Sequence, residues 1–151
     1  GDGKNMRIAE GERGDTFDRV LSYCVVEKGG ELFRIATTHF TWTPNGDPDD
    51  VQWRDLGALF SALDSAGEMT LAGDFNAPRG RPVFTKLAER FTDNIPAHYT
   101  SSFDSALHRR GALDVMVDGF FTTAGYAAHG VELVSGVSDH CAIVGNITKT
   151  A

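Results

Sequence analysis

Polar side chains that can do chemistry occur at or near the ends of several apolar runs in this sequence. A rigid sheet commonly presents binding and catalytic groups in this way, on loops at strand ends. Carboxylate and amide oxygens suit a hard cation such as Mg²⁺ or Mn²⁺, and an imidazole exchanges protons near neutral pH. Together these types predict metal-assisted hydrolysis of a phosphoester. The positions are His39, Asp74, Asn76, Asp118, Asp139 and His140.

The segment 71–80 is the most informative of these. Asp74 and Asn76 are two residues apart, so on an extended backbone their side chains point to one face. A carboxylate and an amide side by side can hold a cation and a phosphate oxygen together, while Pro78 and Gly80 restrict the loop. An Asx turn that only closes the strand is an equally physical interpretation, and it stays open here.

Each of the other candidates also has an alternative interpretation. Asp139 and His140 are adjacent, so they share a site only where the backbone turns or the strand ends. Either Asp118 or Asp114 can orient the imidazole. His39 is either a site residue or a strand-end histidine bonded to backbone. Arginines in nearby loops either face an anionic group or carry surface charge, and Arg79 is the one predicted to bind substrate.

Bulk properties limit the function classes. The chain has 151 residues, enough for one domain, and a net charge of −7, which disfavours non-specific binding to duplex nucleic acid. No apolar run approaches membrane-spanning length, and no signal peptide is visible. Cys24 and Cys141 are predicted to be buried free thiols, which fits a reducing compartment, so a cytoplasmic location is expected.

The pattern of apolar residues predicts an α+β fold, a mixed β-sheet with helices on one face. Residues 4–16 are polar and glycine-punctuated, a poor candidate for core. Several strands look apolar on both faces, and few elements are left to cover the face opposite the helices. The predicted strands are 19–27, 31–40, 69–75, 112–122, 130–135 and 140–148, and the predicted helices are 50–66, with Asp49 or Asp50 as N-cap and Gly67 as its stop, and 82–91.

Four motifs in this order resemble those of the endonuclease/exonuclease/phosphatase superfamily, which has the DNase I-like αββα sandwich fold. They are THF (38–40), GDFNAPRG (73–80), VDGFF (117–121) and SDHCAI (138–143). Each is weak alone, whereas the combination is specific. The resemblance covers residues from about 18 to 148, nearly all of the chain.

The resemblance implies a Mg²⁺- or Mn²⁺-dependent phosphoester hydrolase, with a role for each matching residue. Asp74, Asn76 and Asp139 would be metal ligands, and Asp74 would also activate the attacking water. Asn76 and His140 would hold the scissile phosphate, and His140 would act as acid or base. Asp118, with Asp114 as the alternative, would steer His140, and His39 would stabilise the phosphate or protonate the leaving group.

The resemblance also implies that part of the domain is missing. The superfamily's first half supplies an Asn strand and a metal-binding Glu, and Glu10 and Glu12 have no strand before them in the sequence. We therefore expect a polar segment, 1–17, followed by an incomplete domain, 18–151. Its partners would be a phosphoester substrate and either the missing half or a second copy of the chain. A non-catalytic half-domain that serves association or binding is the competing hypothesis.

Overall fold

Ten secondary-structure elements, eight strands and two helices, occur in the part of the chain that the structure describes. The structure is a computed structural model, and it describes residues 3–9 and 18–150. The elements in chain order are β1 Lys4–Ala9, β2 Arg19–Lys28, β3 Glu31–His39, α1 Asp50–Ala66, β4 Thr70–Asp74, α2 Pro82–Ala88, β5 Thr92–Asp93, β6 Asp118–Thr122, β7 Tyr126–Val134 and β8 Ala142–Lys149.

Six of the strands form one mixed sheet in the order β1-β2-β3-β4-β6-β5, and β7 and β8 form a second sheet. In the larger sheet β3 and β4 are parallel, and every other neighbouring pair is antiparallel. A parallel pair needs a crossover connection, which α1 provides. The carboxyl ends of β3 and β4 therefore lie beside the start of β6, and the predicted site residues occur at these strand ends.

Both helices pack against one face of the larger sheet, as the sequence predicted. α1 spans the predicted residues; Asp49 caps its first turn by accepting the Gln52 N–H at 2.8 Å, and Gly67 ends it at φ 80°. α2 begins at Pro82 as predicted but ends at Ala88 rather than at residue 91. Neither helix is long and apolar enough to cross a membrane. The shared core consists of Leu56, Leu59, Leu63, Leu71, Phe75, Val83, Phe84, Leu87 and Phe121, among others.

The opposite face of the larger sheet is covered only in part. The β7–β8 sheet packs on it through a second apolar cluster that includes Met116, Phe120 and Val131. The two last predicted strands thus form a separate layer rather than continuing the same sheet. Val20, Val26 and Ile35 of β2 and β3 alternate with the core residues and remain 39%, 42% and 39% exposed. We call these three side chains and Cys24 the open face.

Three further expectations from the sequence were wrong. The segment 4–16 was predicted not to contribute to the core, yet β1 pairs with β2 and buries Ile8. This strand also precedes Glu10 and Glu12, which themselves lie outside the described residues. The predicted strand 112–122 begins only at Asp118. Cys24 and Cys141 are free, but each is partly exposed rather than buried.

Candidate active site

Three predicted site residues lie in a row across neighbouring strands of the larger sheet, at the strand ends. His39 of β3 is the register partner of Asp74 of β4, and Asp74 is the register partner of Asp118 of β6. Because side chains alternate along a strand, all three face away from the helices. The His39 Nε2 atom lies 3.5 Å from the Asp74 Oδ2 atom, and the imidazole is largely exposed.

Glycine allows the strands to approach closely beside this row. Gly73, directly before Asp74, has φ 153°, and a Cβ at this position would overlap the carbonyl oxygen of Thr38 on β3. Its register partner is Gly119, where a Cβ would collide with the rings of Phe75 and Phe121. The two acidic side chains are therefore presented by backbone that only glycine permits next to them.

A hydrogen bond joins His140 to the row. The His140 Nδ1 atom is 2.7 Å from the Asp118 Oδ2 atom, with the two side chains 27% and 12% exposed. This hydrogen bond, and to a smaller extent the negative charge of Asp118, raises the pKa of His140 above its ordinary value. Asp114 is exposed and lies outside any strand. Of the two acids left open by the sequence, Asp118 is the one that holds the imidazole.

Asp74 sits in a crowded negative environment. Burial raises the pKa of its carboxyl group, and the nearby charge of Asp118 raises this pKa further. The carboxylate accepts the backbone N–H of Asn76 at 2.7 Å, which opposes the shift. That bond forms the Asx turn considered in the sequence. Asn76 adopts a left-handed conformation, φ 49°, and its Nδ2 donates to the Phe40 carbonyl at 2.8 Å.

Asp139 lies on the exposed turn before His140. Its backbone carbonyl accepts the N–H of Asp104 at 2.9 Å, and its charge contributes to the raised pKa of His140. Ser138 closes the turn, because its Oγ both accepts the N–H of His140 and donates to the His140 carbonyl. Because the backbone turns here, Asp139 and His140 are not held on opposite faces, as adjacent residues of a regular strand would be.

Arg79 has partners other than the predicted site residues. Its guanidinium donates to the carboxylate of Asp93 and to the Ile95 carbonyl, at 2.8 and 2.9 Å, and to the Tyr99 carbonyl at 3.3 Å. It also lies over the Phe84 ring. These contacts fasten the segment that follows α2. The substrate-binding role of Arg79 stays a prediction, and these contacts do not support it.

The donor set fits a hard cation in kind but supplies only part of a coordination sphere. Among residues 3–9 and 18–150, no group of three or more His, Cys, Asp or Glu side chains is placed to hold a metal ion. The available donors are oxygens. Burial is the main cause of the raised pKa of Asp74, and the second cause, the nearby negative charge of Asp118, is one that a cation would offset. Mg²⁺ and Mn²⁺ accept such oxygens and commonly keep several water ligands. The described residues therefore fit such an ion if other ligands complete the site.

A shallow cavity of about 380 Å³ opens beside the row and is lined by His39, Asp74, Val20 and Ser22, among others. It lies between the row and the open face of β2. Of the two site residues that line it, His39 is the more exposed, with 67% of its side chain accessible against 19% for Asp74. The cavity thus joins the predicted site to the uncovered part of the sheet.

Sequence reasoning missed several residues that hold this region together. Gln52 is fully buried on α1 and donates to the Thr41 carbonyl at 2.7 Å, and Asp55 accepts the Thr41 hydroxyl at the same distance. Polar residues on the apolar face of a predicted helix were the available signal. Ser102 and Asp104 are also buried, in a loop whose sequence has no periodic pattern that would have flagged them.

No protein-family model matches the sequence, and no curated protein matches it. Solved structures do match its fold. A Bacteroides vulgatus endonuclease/exonuclease/phosphatase aligns with a TM-score of 0.72 at 16% identity, covering 99% of this chain and 65% of its own. A mannosyl-6-phosphatase from Bacteroides thetaiotaomicron aligns with a TM-score of 0.72 at 11% identity, covering 97% and 66%. The human Nocturnin catalytic domain gives a TM-score of 0.62 at 17% identity, covering 99% and 59%.

These comparisons establish the fold of the chain. The chain has a partial DNase I-like fold, that of the endonuclease/exonuclease/phosphatase superfamily, and the resemblance drawn from the sequence is confirmed at the level of fold. It spans 59–66% of the length of these three structures. At these identities the likeness establishes fold alone.

Proposed function

We propose that this chain carries most of the active site of a metal-dependent phosphoester hydrolase. The observation that supports this most is the 2.7 Å hydrogen bond between Asp118 and His140, with Asp74 beside Asp118 on the next strand. A carboxylate, an oriented imidazole and a second carboxylate are the groups that hydrolysis of a phosphoester needs. The names of the structural neighbours, which include a phosphatase, agree with this reaction class.

In this proposal Asp118 and His140 act together as an acid–base pair. An ionised carboxylate only accepts hydrogen bonds, so the Nδ1 atom of His140 is the donor and Nε2 is the atom left for proton transfer. Asp118 fixes the ring orientation and favours its protonated form. His140 contacts the phosphate and moves a proton at Nε2.

Asp74, Asn76 and Asp139 would hold a Mg²⁺ or Mn²⁺ ion, whose chemistry is to polarise the phosphate and neutralise developing negative charge. Asp74 also orients the attacking water through its carboxylate. Asn76 offers the scissile phosphate a side-chain amide held in place by the left-handed turn. His39, the most exposed of the set, stabilises the phosphate or protonates the leaving group.

The site needs further residues to be complete. The described part of the chain supplies too few metal-binding side chains for a full coordination sphere, and the open face leaves apolar area uncovered beside the cavity. We propose that the missing part of the domain, or a second copy of the chain, covers this face and completes the site. A cytoplasmic location remains a prediction.

A second function is favoured by the open face itself. Exposed Val20, Val26 and Ile35 on paired strands are the kind of surface that associates with another protein segment. A half-domain that only binds through this face would keep the site residues without using them.

A hydrolysis assay with a substrate panel tests the proposed reaction. The panel is an aryl phosphodiester, an aryl phosphomonoester and a nicked plasmid, each with Mg²⁺, Mn²⁺ or EDTA. We expect turnover that requires the cation and is lost in Asp74→Ala, because this carboxylate is both ligand and water-orienting group. The preferred substrate then narrows the class.

Asp64→Ala is the matched control, since Asp64 pairs with Arg90 and neither is a predicted site residue. Turnover that persists in EDTA would contradict the metal requirement. No turnover above the Asp74→Ala background would contradict an autonomous enzyme and favour the association function.

A further inference from the structure

The loop 100–111, which carries no predicted site residue, touches the backbone at the start of β6. The Oγ atom of Ser102 accepts the N–H of Val117 at 3.1 Å and the N–H of Asp118 at 3.3 Å. Ser102 is fully buried, so water cannot replace its hydroxyl as the acceptor for these two N–H groups. Its two oxygen lone pairs therefore fix the backbone from which Asp118 projects.

The same loop holds the turn that carries Asp139 and His140. The Oδ2 atom of Asp104 accepts the N–H of Gly136 at 2.6 Å, and the Asp104 N–H donates to the Asp139 carbonyl at 2.9 Å. The Cys141 N–H donates to the Ser102 carbonyl at 2.8 Å. Three bonds thus tie the backbone on both sides of His140 to this loop.

The Asp104 carboxylate also closes its own loop. Its Oδ1 atom accepts the N–H groups of Ala106 and Leu107 at 2.8 and 3.1 Å. These donors, with Gly136 the strongest, hold the pKa of Asp104 below its usual range. Only a carboxylate has two acceptor oxygens for both groups of donors, because an asparagine amide offers one oxygen and one donating nitrogen.

Phe103 lies between these two anchors and contacts the imidazole. Its ring centroid is 4.5 Å from that of His140, at an interplanar angle of 59°. The two residues also form an isolated antiparallel bridge. The imidazole is therefore bounded by the Phe103 ring and bonded to the Asp118 carboxylate.

We propose that Ser102 and Asp104 are positioning residues, which hold the start of β6 and the 136–141 turn in the register that lets Asp118 bond His140. The catalytic consequence rests on the proposed function. The geometric part does not, because it concerns a hydrogen bond between two described side chains. A plain loop-closing role for Asp104 would involve Ala106 and Leu107 and leave His140 unaffected.

Asp104→Asn separates the two roles. Its single amide oxygen can keep the bonds to Ala106 and Leu107, while its nitrogen then faces the N–H of Gly136. Glu68→Gln is the matched control, because the Glu68 Oε2 accepts the N–H of Gly125 at 2.6 Å beyond the opposite end of β4. Both variants replace a carboxylate that accepts a backbone N–H.

The readouts are the ¹H–¹⁵N signal of the hydrogen-bonded His140 Nδ1–H at one fixed pH, and amide hydrogen exchange at Cys141. For Asp104→Asn we expect loss of the Nδ1–H signal and about tenfold faster exchange at Cys141, since one anchor of the turn is gone. Glu68→Gln is expected to change neither. An unchanged Nδ1–H signal and unchanged exchange in folded Asp104→Asn would overturn the proposal.

Ser102→Ala makes the same test from the β6 side if Asp104→Asn does not fold. It removes the acceptor for Val117 and Asp118, and the same loss of the Nδ1–H signal is expected, whereas its retention would overturn the proposal. Turnover is a separate readout. Where the wild-type chain hydrolyses a phosphoester, Asp104→Asn should lower kcat about ten- to a hundredfold with little change in KM. An inactive wild type contradicts the proposed function and leaves the magnetic-resonance result to decide this inference.

Discussion

The hydrogen bond between Asp118 and His140 gives the site its distinctive electrostatics. With Asp118 replaced by Asn, the pKa of His140 should fall toward its ordinary value of about 6.5, because the hydrogen bond to this carboxylate is the main cause of the raised pKa. An NMR titration of the His140 ring in EDTA measures it. Asp114→Asn, at an exposed acid, should leave the titration unchanged; an equal fall in both variants would contradict the assignment.

The raised pKa of His140 also makes the free energy of unfolding depend on pH. The pKa of His140 is raised in the folded chain, so the pair contributes stability below about pH 6.5 that is lost as the pH rises through the folded-state pKa. Wild type should therefore lose stability relative to Asp118→Asn across that interval. Denaturant unfolding at a series of pH values checks this, and parallel curves would contradict it.

Glu68 lies at the other end of the sheet, and its contribution to stability has the opposite dependence on pH. Hydrogen bonds from Thr123 and Gly125 lower its pKa below the usual value of 4.5. Its contribution is present above about pH 4.5 and is lost as the pH falls through the folded-state pKa. Glu68→Gln should thus be less stable than wild type near neutral pH and approach it in acid, as measured by urea unfolding. A pH-independent difference would contradict this account.

At the scale of elements, the approach of β3 and β4 depends on Gly73. Gly73→Ala should lower the free energy of unfolding by more than about 2 kcal/mol, because its Cβ would overlap the Thr38 carbonyl oxygen at a φ that disfavours side chains. Gly57→Ala is the control: this exposed position within α1 has open space, and alanine should stabilise the helix by about 0.5–1 kcal/mol. Equal effects of the two substitutions would contradict the close approach.

Elements with strong local signals were predictable from the sequence. α1 combines helical spacing of Leu56, Leu59 and Leu63 with an aspartate cap and a glycine stop, and its bounds were predicted correctly. The apolar segment before β6 was not, because its backbone bonds to non-strand partners: the Val117 N–H to Ser102, and the Met116 carbonyl to Arg79. Apolar character alone does not distinguish such a segment from a strand.

β1 was not predicted from the sequence, for a different reason. Among the described strands it is an edge strand paired only with β2, and it places only Met6 and Ile8 against the main core, so its apolar pattern is too short to stand out in the sequence. The candidate site residues could be named from motifs, but their relative positions depended on strand register. The choice between Asp114 and Asp118 could be made only once β6 was paired with β4.

For the whole molecule, the open face predicts association. The double substitution Val26→Lys/Ile35→Lys should raise the monomer fraction, because both charged groups would have to be buried in any contact made through this face. Sedimentation velocity at rising protein concentration measures it. Val144→Lys, at an exposed valine of β8, is the control and should not change the mass distribution. A wild type that stays monomeric at high micromolar concentration would contradict self-association and favour the missing part of the domain as the partner.

The most direct test of the central claim is the rate of aryl phosphoester hydrolysis with Mg²⁺ or Mn²⁺ by wild type, His140→Ala and Asp114→Ala. The account predicts cation-dependent turnover, reduced by about a hundredfold or more in His140→Ala and unchanged in Asp114→Ala, because only His140 belongs to the acid–base pair. Equal rates in wild type and His140→Ala, or no turnover by wild type, would contradict it.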